Sequence, residues 1–166
     1  SREQCGSMLI TSPSPDDGRT CIAVNLAASI ALSGQKVLLI DANFHKPALD
    51  RLFSGIPDVG FVDLLAGKTS LEETIVESDT PGLWVMGNGQ KTSHSHHSRL
   101  LASSTLGAII KKASGQFDQV IVDGPPALLS SDALAMCGQV GGVVFVARAG
   151  KNLRGEINRM RSDIGR

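Results

Sequence analysis

The sequence contains no tyrosine, and aromatic residues make up only 4% of it, which leaves few platforms for stacking the bases of single-stranded nucleic acid. Its formal net charge is zero, so the composition indicates no polyanionic partner, and we expect no nucleic acid. The three cysteines, Cys5, Cys21 and Cys137, have unrelated spacings that suggest neither a disulfide framework nor a zinc site, and free thiols fit a reducing cytoplasm. Every apolar run falls far short of the roughly 18 residues that span a membrane.

The length of 166 residues corresponds to one domain with enough chain to bury a core. We therefore predict a single domain over residues 1–166. The first predicted strand begins at Met8, and no signal peptide is visible. We expect the domain to be a segment of a longer chain that was truncated at both ends.

The stretch from Met8 to Ala28 organises the rest of the chain. A short apolar strand, Met8–Thr11, is followed by a loop rich in Ser, Pro and Gly and by a predicted helix over Thr20–Ser33. A strand that leads through a tight loop into a helix N-terminus is the geometry that binds phosphate, because loop N–H groups and the helix dipole both favour an anion. The phosphate-loop pattern GxxxxGK[ST] is only partly present, since Pro13 stands at its first glycine and Arg19 at its lysine.

Strands and helices alternate along the remaining sequence. Further strands are predicted at Lys36–Asp41, Leu83–Met86, Phe117–Asp123 and Gly142–Ala147. Further helices are predicted at Leu49–Phe53, Val62–Leu65, Leu71–Val76, Arg99–Ala113, Ser131–Cys137 and from Asn152 onward. In the first helix, the expected apolar stripe is formed by neighbouring alanines together with Ile22, Leu26 and Ile30, and Gly34 is expected to end the helix. These elements predict an α/β fold, a three-layer sandwich with a mainly parallel central sheet.

Two of the predicted strands end on an acidic residue, Asp41 and Asp123. Since ligands of open parallel sheets bind at the carboxyl ends of the strands, loop 13–20 and both acids are expected at one edge. There the Thr20 hydroxyl could bind Mg²⁺, Asp123 has the placement of the acid that holds the metal, and Asp41 could orient an attacking hydroxyl or water. The alternative is that strand-end acids only solvate the sheet edge or cap helices.

Several segments follow one another in a characteristic order, namely TSPSPDDGRT with VNLA, VLLIDANFHKPALDRLF, FDQVIVDGPPALLSSDAL and GGVVFVARAGKN. From Met8 to about Lys151 they resemble the cytoplasmic domain of bacterial tyrosine kinases of polysaccharide export and chain-length control (BY-kinases), which are P-loop proteins related to the MinD and ParA ATPases. The resemblance implies a Rossmann-like P-loop NTPase fold with a Mg-ATP site. Loop 13–20 matches the Walker A motif, Asp41 the first acid of the Walker A′ motif, and Asp123 the Walker B acid.

The resemblance implies three overlapping sets of site residues in this chain. The nucleotide-binding set consists of Pro15, Asp16, Asp17, Gly18, Arg19, Thr20 and Cys21. The catalytic set consists of Arg19, Asp41 and Asp123, and the metal set of Thr20, Asp41 and Asp123. The resemblance also implies a membrane-embedded chain-length regulator as partner, either separate or fused upstream, assembly into a homo-oligomer, and a location in the cytoplasm at the inner face of the bacterial membrane.

Four departures from the family pattern bear on activity. Arg19 replaces the family's lysine, and a planar guanidinium suits the slot between two phosphates less well than a compact ammonium. Asp16 replaces a glycine, which removes freedom at positive φ and adds a like charge that costs roughly 1 to 4 kcal/mol at about 4 Å from a phosphate oxygen. Asn43 replaces the second acid of the Walker A′ motif. Without tyrosine, these residues cannot phosphorylate themselves on tyrosine.

We therefore predict a degenerate family member, resembling a pseudokinase, that binds Mg-ATP or Mg-ADP weakly or not at all and works by binding and assembly. The alternative is an active ATP-dependent tyrosine kinase or ATPase in which Arg19 takes the place of the lysine. Two more possibilities stay open, an interaction module that never meets nucleotide and an ATPase of the MinD/ParA type. The latter group typically carries an extra lysine early in the P-loop, and Ser12 to Pro15 contain none.

Smaller features carry weaker predictions. A transition metal could bind the histidines His94, His96 and His97, but a mobile polar loop is favoured because no neighbouring cysteine or acid completes a ligand set. His45 and Lys46 are equally consistent with a phosphate or protein contact and with a solvated turn. Arg148 and Lys151 are expected at the binding edge, where they could touch nucleotide or a neighbouring subunit.

Overall fold

The computed structural model describes residues 6–89, 99–101 and 104–164. Its centre is a six-stranded sheet with the order β3-β4-β2-β5-β1-β6. The strands are β1 Gly6–Thr11, β2 Val37–Asp41, β3 Ile75–Glu77, β4 Leu83–Met86, β5 Gln119–Asp123 and β6 Gly142–Phe145. Neighbouring strands are parallel except β3, which runs antiparallel to β4. The predicted α/β fold with a mainly parallel sheet is confirmed.

Helices connect these strands and cover the sheet. They are α1 Arg19–Leu32, α2 Leu49–Leu52, α3 Phe61–Leu65, α4 Leu71–Thr74, α5 Thr105–Ala113, α6 Ser131–Cys137 and α7 Arg154–Ile164. Of the helix predicted over Arg99–Ala113, residues 99–101 are helical, Ser104 lies in a turn, and α5 covers Thr105–Ala113. Within the part of the chain that the structure describes, no helix is both long and apolar enough to cross a bilayer.

Alternate residues of β2 point to opposite faces of the sheet, and each face has its own core. Leu38 and Ile40 belong to the larger core, which includes residues of α3 and α5. Val37 and Leu39 belong to the second core, which includes residues of α1. Because helices cover both faces, β2 is buried along its whole length and its sequence is a continuous apolar run up to Asp41. This arrangement is the predicted three-layer sandwich.

Helix α1 contacts the sheet through small residues. The positions that are at most 4% exposed follow a four-residue spacing and are Ala23, Ala27 and Ala31. Ile22 is 45% exposed, so the prediction that it belongs to the buried stripe is wrong. A large side chain is accommodated on the outer side of the helix, whereas the alanines allow the backbone of α1 to lie close to the strands. Gly34 ends the helix as predicted, with a φ of +95° and an N–H that donates to the Ala31 carbonyl.

A strand that the sequence pattern did not predict follows α4. The helix predicted over Leu71–Val76 ends at Thr74, and Ile75–Glu77 pairs antiparallel with β4. The two strands form a hairpin in which the Ser78 N–H donates to the Leu83 carbonyl and Gly82 takes a φ of +80°. Adjacent β-branched residues, Ile75 and Val76, favour a strand over the last turn of a helix, which explains the correction.

The remaining predictions and packing contacts concern β4 and the loop after it. Residues 90–98 of the predicted loop over Gly87–Ser98, with the histidine cluster His94, His96 and His97, lie outside the described residues. Trp84 stands in β4, where it is half-buried and its ring meets the Phe117 ring edge-on at 6.3 Å. Its packing contributes to the core on the α5 face of the sheet.

Because the sheet has a core on each face, replacing a buried leucine should lower the free energy of unfolding far more than replacing an exposed one. Leu39→Ala, in the centre of the sheet at 0% exposure, should lower the free energy of unfolding by about 2–5 kcal/mol because it leaves a cavity. Leu32→Ala, at the end of α1 and 72% exposed, should change it by about 0.5 kcal/mol or less. Urea unfolding followed by circular dichroism measures both values, and equal effects would contradict the described core.

Candidate functional site

The loop that joins β1 to α1 contains two residues in the left-handed backbone region. Asp16 has a φ of +59° and Gly18 a φ of +94°. Left-handed residues in a tight turn direct successive N–H groups to one side, and this forms a concave site for an anion. Position 16 therefore requires the positive φ that glycine adopts freely and that aspartate tolerates better than most residues. The start of the loop is fixed to the segment after β5, because the Thr11 hydroxyl donates to the Pro125 carbonyl at 2.8 Å.

Arg19, at the lysine position of the motif, folds back onto its own loop. Its Nη1 donates to the Ser12 hydroxyl at 2.7 Å and to the Ser14 carbonyl at 3.3 Å. The residue is only 7% exposed, and its Nε has no hydrogen-bond partner among the described residues. Burial lowers the pKa of the guanidinium, and the nearby carboxylates of Asp123 and Asp17 oppose this shift. The cation is thus held inside the loop.

Thr20 and Asp123 are joined by a short hydrogen bond. The Thr20 hydroxyl donates to Asp123 Oδ2 at 2.6 Å, although the two residues are 103 positions apart. The other carboxylate oxygen, Oδ1, is buried without a hydrogen-bond partner among the residues described. Burial raises the pKa of Asp123 to about 6, the Thr20 hydrogen bond lowers it, and the charge of Asp41 raises it. At the end of β5, the Asp123 carboxylate therefore has one hydrogen-bonded oxygen and one buried oxygen that could still accept a hydrogen bond or bind a cation.

Asp41 ends β2 directly beside Asp123, its register partner on β5. Its Oδ1 accepts the Asn43 N–H at 3.1 Å, and its Oδ2 accepts the N–H groups of Ala48 and Leu49 at 2.7 and 3.0 Å. Burial raises the pKa of Asp41, and these three hydrogen bonds act against the shift. The carboxylate thus organises the turn between β2 and α2, as the helix-capping alternative describes, and its catalytic and metal-binding roles stay predictions.

Asp17 lies under the loop and is held by residues from the far end of the chain. Its side chain is 0% exposed and accepts hydrogen bonds from Lys151 Nζ at 2.8 Å, Asn152 Nδ2 at 3.1 Å and the Ser14 N–H at 2.9 Å. Burial raises the pKa of Asp17, but these bonds outweigh burial and the pKa lies below its usual range. We name Asp17, Lys151 and Asn152 the loop clasp. Asn152 was not predicted, because no local pattern links positions 135 residues apart.

The second predicted cation after β6, Arg148, also contacts this loop. Its Nη1 lies 3.4 Å from the Asp16 carbonyl, and Lys151 additionally donates to the Pro15 carbonyl. Both residues thus lie at the binding edge, as the order of the elements predicts. Their contacts in the structure are with the phosphate-loop backbone and the Asp17 carboxylate.

A cleft of about 210 Å³ opens beside the loop, lined by Asp16, Gly18, Arg19, Thr20, Cys21, Asn43, Lys46, Ala48 and Arg51. Five residues of the predicted nucleotide-binding set are on this wall, whereas Asp17 is buried below the loop and Pro15 is exposed. A larger cleft of about 600 Å³ is lined by residues 50–58 and Gly89. Its acids, Asp50 and Asp58, are exposed, so the smaller cleft, which adjoins buried Arg19, is the stronger candidate.

His45 and Lys46 follow the Walker A′ segment at the mouth of this cleft. The Lys46 ammonium lies 3.1 Å from Asp16 Oδ1, and His45 Nε2 lies 3.9 Å from Asp132 Oδ2 at the start of α6. Lys46 thus bridges the turn after β2 and the phosphate loop. Among the described residues, no three His, Cys, Asp or Glu side chains cluster as a ready-made metal site.

Comparison with protein families and curated proteins gives consistent matches. A family model described as an AAA domain matches residues 17–146, which is most of the chain. Tyrosine-protein kinase Etk of Escherichia coli K12 is 36% identical over 151 residues, covering 91% of this chain and 20% of Etk. The succinoglycan biosynthesis transport protein ExoP of Rhizobium meliloti is 35% identical over 143 residues, covering 86% of this chain and 18% of ExoP. The chain thus spans about a fifth of the length of these relatives.

Solved structures show the same relationship. The kinase domain of the Escherichia coli tyrosine kinase ETK superposes with a TM-score of 0.91 at 33% identity, over 99% of this chain and 64% of that domain. The septum site-determining protein MinD of Pyrococcus horikoshii, solved with Mg-ADP, has a TM-score of 0.69 at 24% identity, over 85% of this chain and 57% of MinD, and so shares the fold. The chain therefore belongs to the AAA domain family, has the P-loop NTPase fold, and is a homologue of bacterial tyrosine-protein kinases.

Proposed function

We propose that this domain binds Mg-ATP and Mg-ADP weakly in the cleft beside the phosphate loop, and that it acts in exopolysaccharide biosynthesis through binding and assembly. The observation that carries the proposal is the position of Arg19, which is buried and hydrogen-bonded to Ser12 and Ser14 of its own loop. Catalysis of phosphoryl transfer depends on cations placed in advance where charge develops. A guanidinium held inside the loop is poorly placed for that task.

The backbone of the loop supports a phosphate ligand. The left-handed residues Asp16 and Gly18 shape the turn, and the 14-residue helix α1 begins directly after it at Arg19. Loop N–H groups and a helix N-terminus together attract an anion. The cleft volume of about 210 Å³ is below the ~300 Å³ at which pockets for whole small molecules begin, so we assign it to the phosphates alone.

Thr20 and Asp123 fit a magnesium ion. The buried Oδ1 of Asp123 has no partner among the described residues, and hydroxyl and carboxylate oxygens are the hard ligands that Mg²⁺ prefers. When bound, the ion would neutralise phosphate charge. Asp41, the third predicted metal residue, would have to release at least one of its three backbone N–H groups to become a direct ligand.

The alternative function is an active ATP-dependent tyrosine kinase or ATPase. The intact contact between Thr20 and Asp123, at 2.6 Å, favours it, because the metal-binding half of the site is then preserved. Any phosphorylated tyrosine would have to lie outside this sequence, which contains none. A rearrangement that frees Arg19 from Ser12 and Ser14 would also be required.

The names of the relatives guide the proposal for partners and location. ExoP is named a succinoglycan biosynthesis transport protein, and Etk a tyrosine-protein kinase. We propose that this domain works in the cytoplasm at the inner face of the bacterial membrane, on a membrane-embedded chain-length regulator that is separate or part of the same chain. We also propose that it assembles into a homo-oligomer there.

The first prediction from the proposed function concerns nucleotide binding itself. Calorimetric titration with ATP and ADP, each with and without Mg²⁺, should give weak binding that Mg²⁺ strengthens by about tenfold, which corresponds to about 1.4 kcal/mol. Thr20→Val should abolish the gain from Mg²⁺, because the hydroxyl ligand is removed. If millimolar nucleotide gives no heat of binding and no thermal stabilisation, the proposal is overturned and the domain is an interaction scaffold.

The second prediction tests the arginine. Arg19→Lys should strengthen Mg-ATP binding by about tenfold, because a compact ammonium can reach the phosphates and form a charge-assisted hydrogen bond. Arg161→Lys, an exposed position in α7, is the matched control and should leave affinity unchanged. Equal affinity and turnover for Arg19→Lys and the original domain would show that arginine is not the cause of weak binding.

The third prediction concerns the stability of the domain without ligand. The folded-state pKa of Asp123 is about 6 against an ordinary 3.8, so the folded protein holds its proton more tightly and stability falls as pH rises from about 4 to about 6. Asp123→Asn should therefore raise the free energy of unfolding by up to about 3 kcal/mol at pH 7.5 and by almost nothing at pH 4. Asp79→Asn, on the exposed turn before β4, is the control.

Urea unfolding at several pH values measures this difference. A stability gain for Asp123→Asn that does not change with pH would contradict the raised pKa. The same variant should also lose the strengthening of nucleotide binding by Mg²⁺, as Thr20→Val does. Stability and metal dependence are thus two separate measurements on one residue.

A further inference from the structure

Lys46 occupies a distinctive position among the basic residues around the cleft. It stands in the turn after β2, lines the cleft, and pairs with Asp16 Oδ1 at 3.1 Å across the mouth. Both side chains are well exposed, at 67% and 73%. An ion pair of this kind is held weakly, because water screens its charges and two flexible side chains must be ordered. The Lys46 ammonium can therefore leave Asp16 at little cost.

Two other cations of the phosphate loop region, Arg19 and Lys151, are held by buried partners. Arg19 is buried against Ser12 and Ser14, and Lys151 donates to the fully buried carboxylate of Asp17. Removing either cation from its partner would leave a buried polar group unsatisfied. Lys46, by contrast, would leave behind only an exposed carboxylate that water can solvate.

The Asp16 carboxylate pairs with the same Lys46 ammonium that a phosphate in the cleft would bind. Asp16 stands in the phosphate loop at a φ of +59° and brings a carboxylate to the wall of the cleft. The Lys46 hydrogen bond and the Lys46 charge lower the pKa of Asp16, so it is ionised at neutral pH. A phosphate that enters the cleft meets this like charge and competes with it for the same ammonium.

We propose that Lys46 is a phosphate-binding residue of the cleft, and that Asp16 holds its ammonium until an anionic ligand displaces the carboxylate. This inference rests on the proposed nucleotide site. It adds that Lys46 exchanges Asp16 for phosphate when the ligand binds. The ligand it implies is a di- or triphosphate. Weak binding then has a second cause besides Arg19, since each binding event must break the Lys46–Asp16 pair and place phosphate beside a carboxylate.

A double-mutant cycle tests the exchange with Mg-ADP and inorganic pyrophosphate as the probes. The proteins are the original domain, Asp16→Asn, Lys46→Met and the double variant. Asparagine keeps the shape of aspartate and tolerates a left-handed φ, so the loop backbone is preserved. The controls are Asp79→Asn and Lys36→Met, two exposed positions at the opposite edge of the sheet. Urea unfolding establishes that each variant is folded.

The exchange predicts unequal effects in the two backgrounds. Asp16→Asn should strengthen binding of both probes by about tenfold. Lys46→Met should weaken binding by about tenfold in the Asp16→Asn background, where the lysine is free for the ligand. Lys46→Met should weaken binding only about threefold in the original domain. There, the contact that Lys46 forms with phosphate is partly offset by the ion pair with Asp16 that must break.

Each alternative result has a distinct meaning. Equal factors for Lys46→Met in both backgrounds, or no effect of Asp16→Asn, would overturn the exchange while binding by the original domain still supports the proposed function. Binding by Asp16→Asn alone would support the exchange and overturn nucleotide binding by the original domain. Absence of binding in all four proteins would overturn both proposals.

Discussion

The parallel pairing of β5 with both β1 and β2 is the constraint on which the site depends. In this register Asp123 stands beside Ile10 on one side and Asp41 on the other. The carboxylate therefore reaches the Thr20 hydroxyl, although 103 residues separate them. A slip of one residue would turn the Asp123 side chain to the other face of the sheet. The apolar residues that precede Asp123 are buried against helices on both faces, so packing of the core also fixes the geometry of the site.

The site concentrates charge in places where burial opposes it. Asp123 is 1% exposed and Arg19 is 7% exposed, and burial shifts the pKa of each toward its neutral form. Asp17, although buried, has a pKa below its usual range because Lys151 and Asn152 of the loop clasp donate hydrogen bonds to its carboxylate. Perturbed acids and bases of this kind cluster at functional sites, because a fold optimised for stability alone would not retain them. The site thus combines one buried carboxylate, Asp17, that has several partners with two buried charged groups, Arg19 and Asp123, that each have an unpartnered polar atom among the described residues.

The sequence predicted the order of most elements, and the reason is local. Continuous apolar runs marked the buried parallel strands, and glycine and proline marked their ends. The β3 hairpin was missed because a short run after α4 fits a helix equally well until its pairing with β4 is known. Ile22 was misplaced because residue size alone does not tell which side of α1 meets the sheet. The inward turn of Arg19 was likewise unpredictable, since it depends on a hydroxyl, that of Ser12, positioned by the folded loop.

The loop clasp also constrains how the domain can be made. The phosphate loop is among the first segments of this sequence to be synthesised, yet Lys151 and Asn152 follow Asp17 by 134 and 135 residues. Closing so long a segment of chain has a large entropic cost until the sheet between the two ends has formed. Asp17 can gain these two partners only when strands β2 to β6, which lie between Asp17 and them in the sequence, have been brought into one sheet. The contacts that hold Asp17 beneath the phosphate loop thus require both ends of the described chain to be in place, so the shape of this loop depends on the fold of the whole domain.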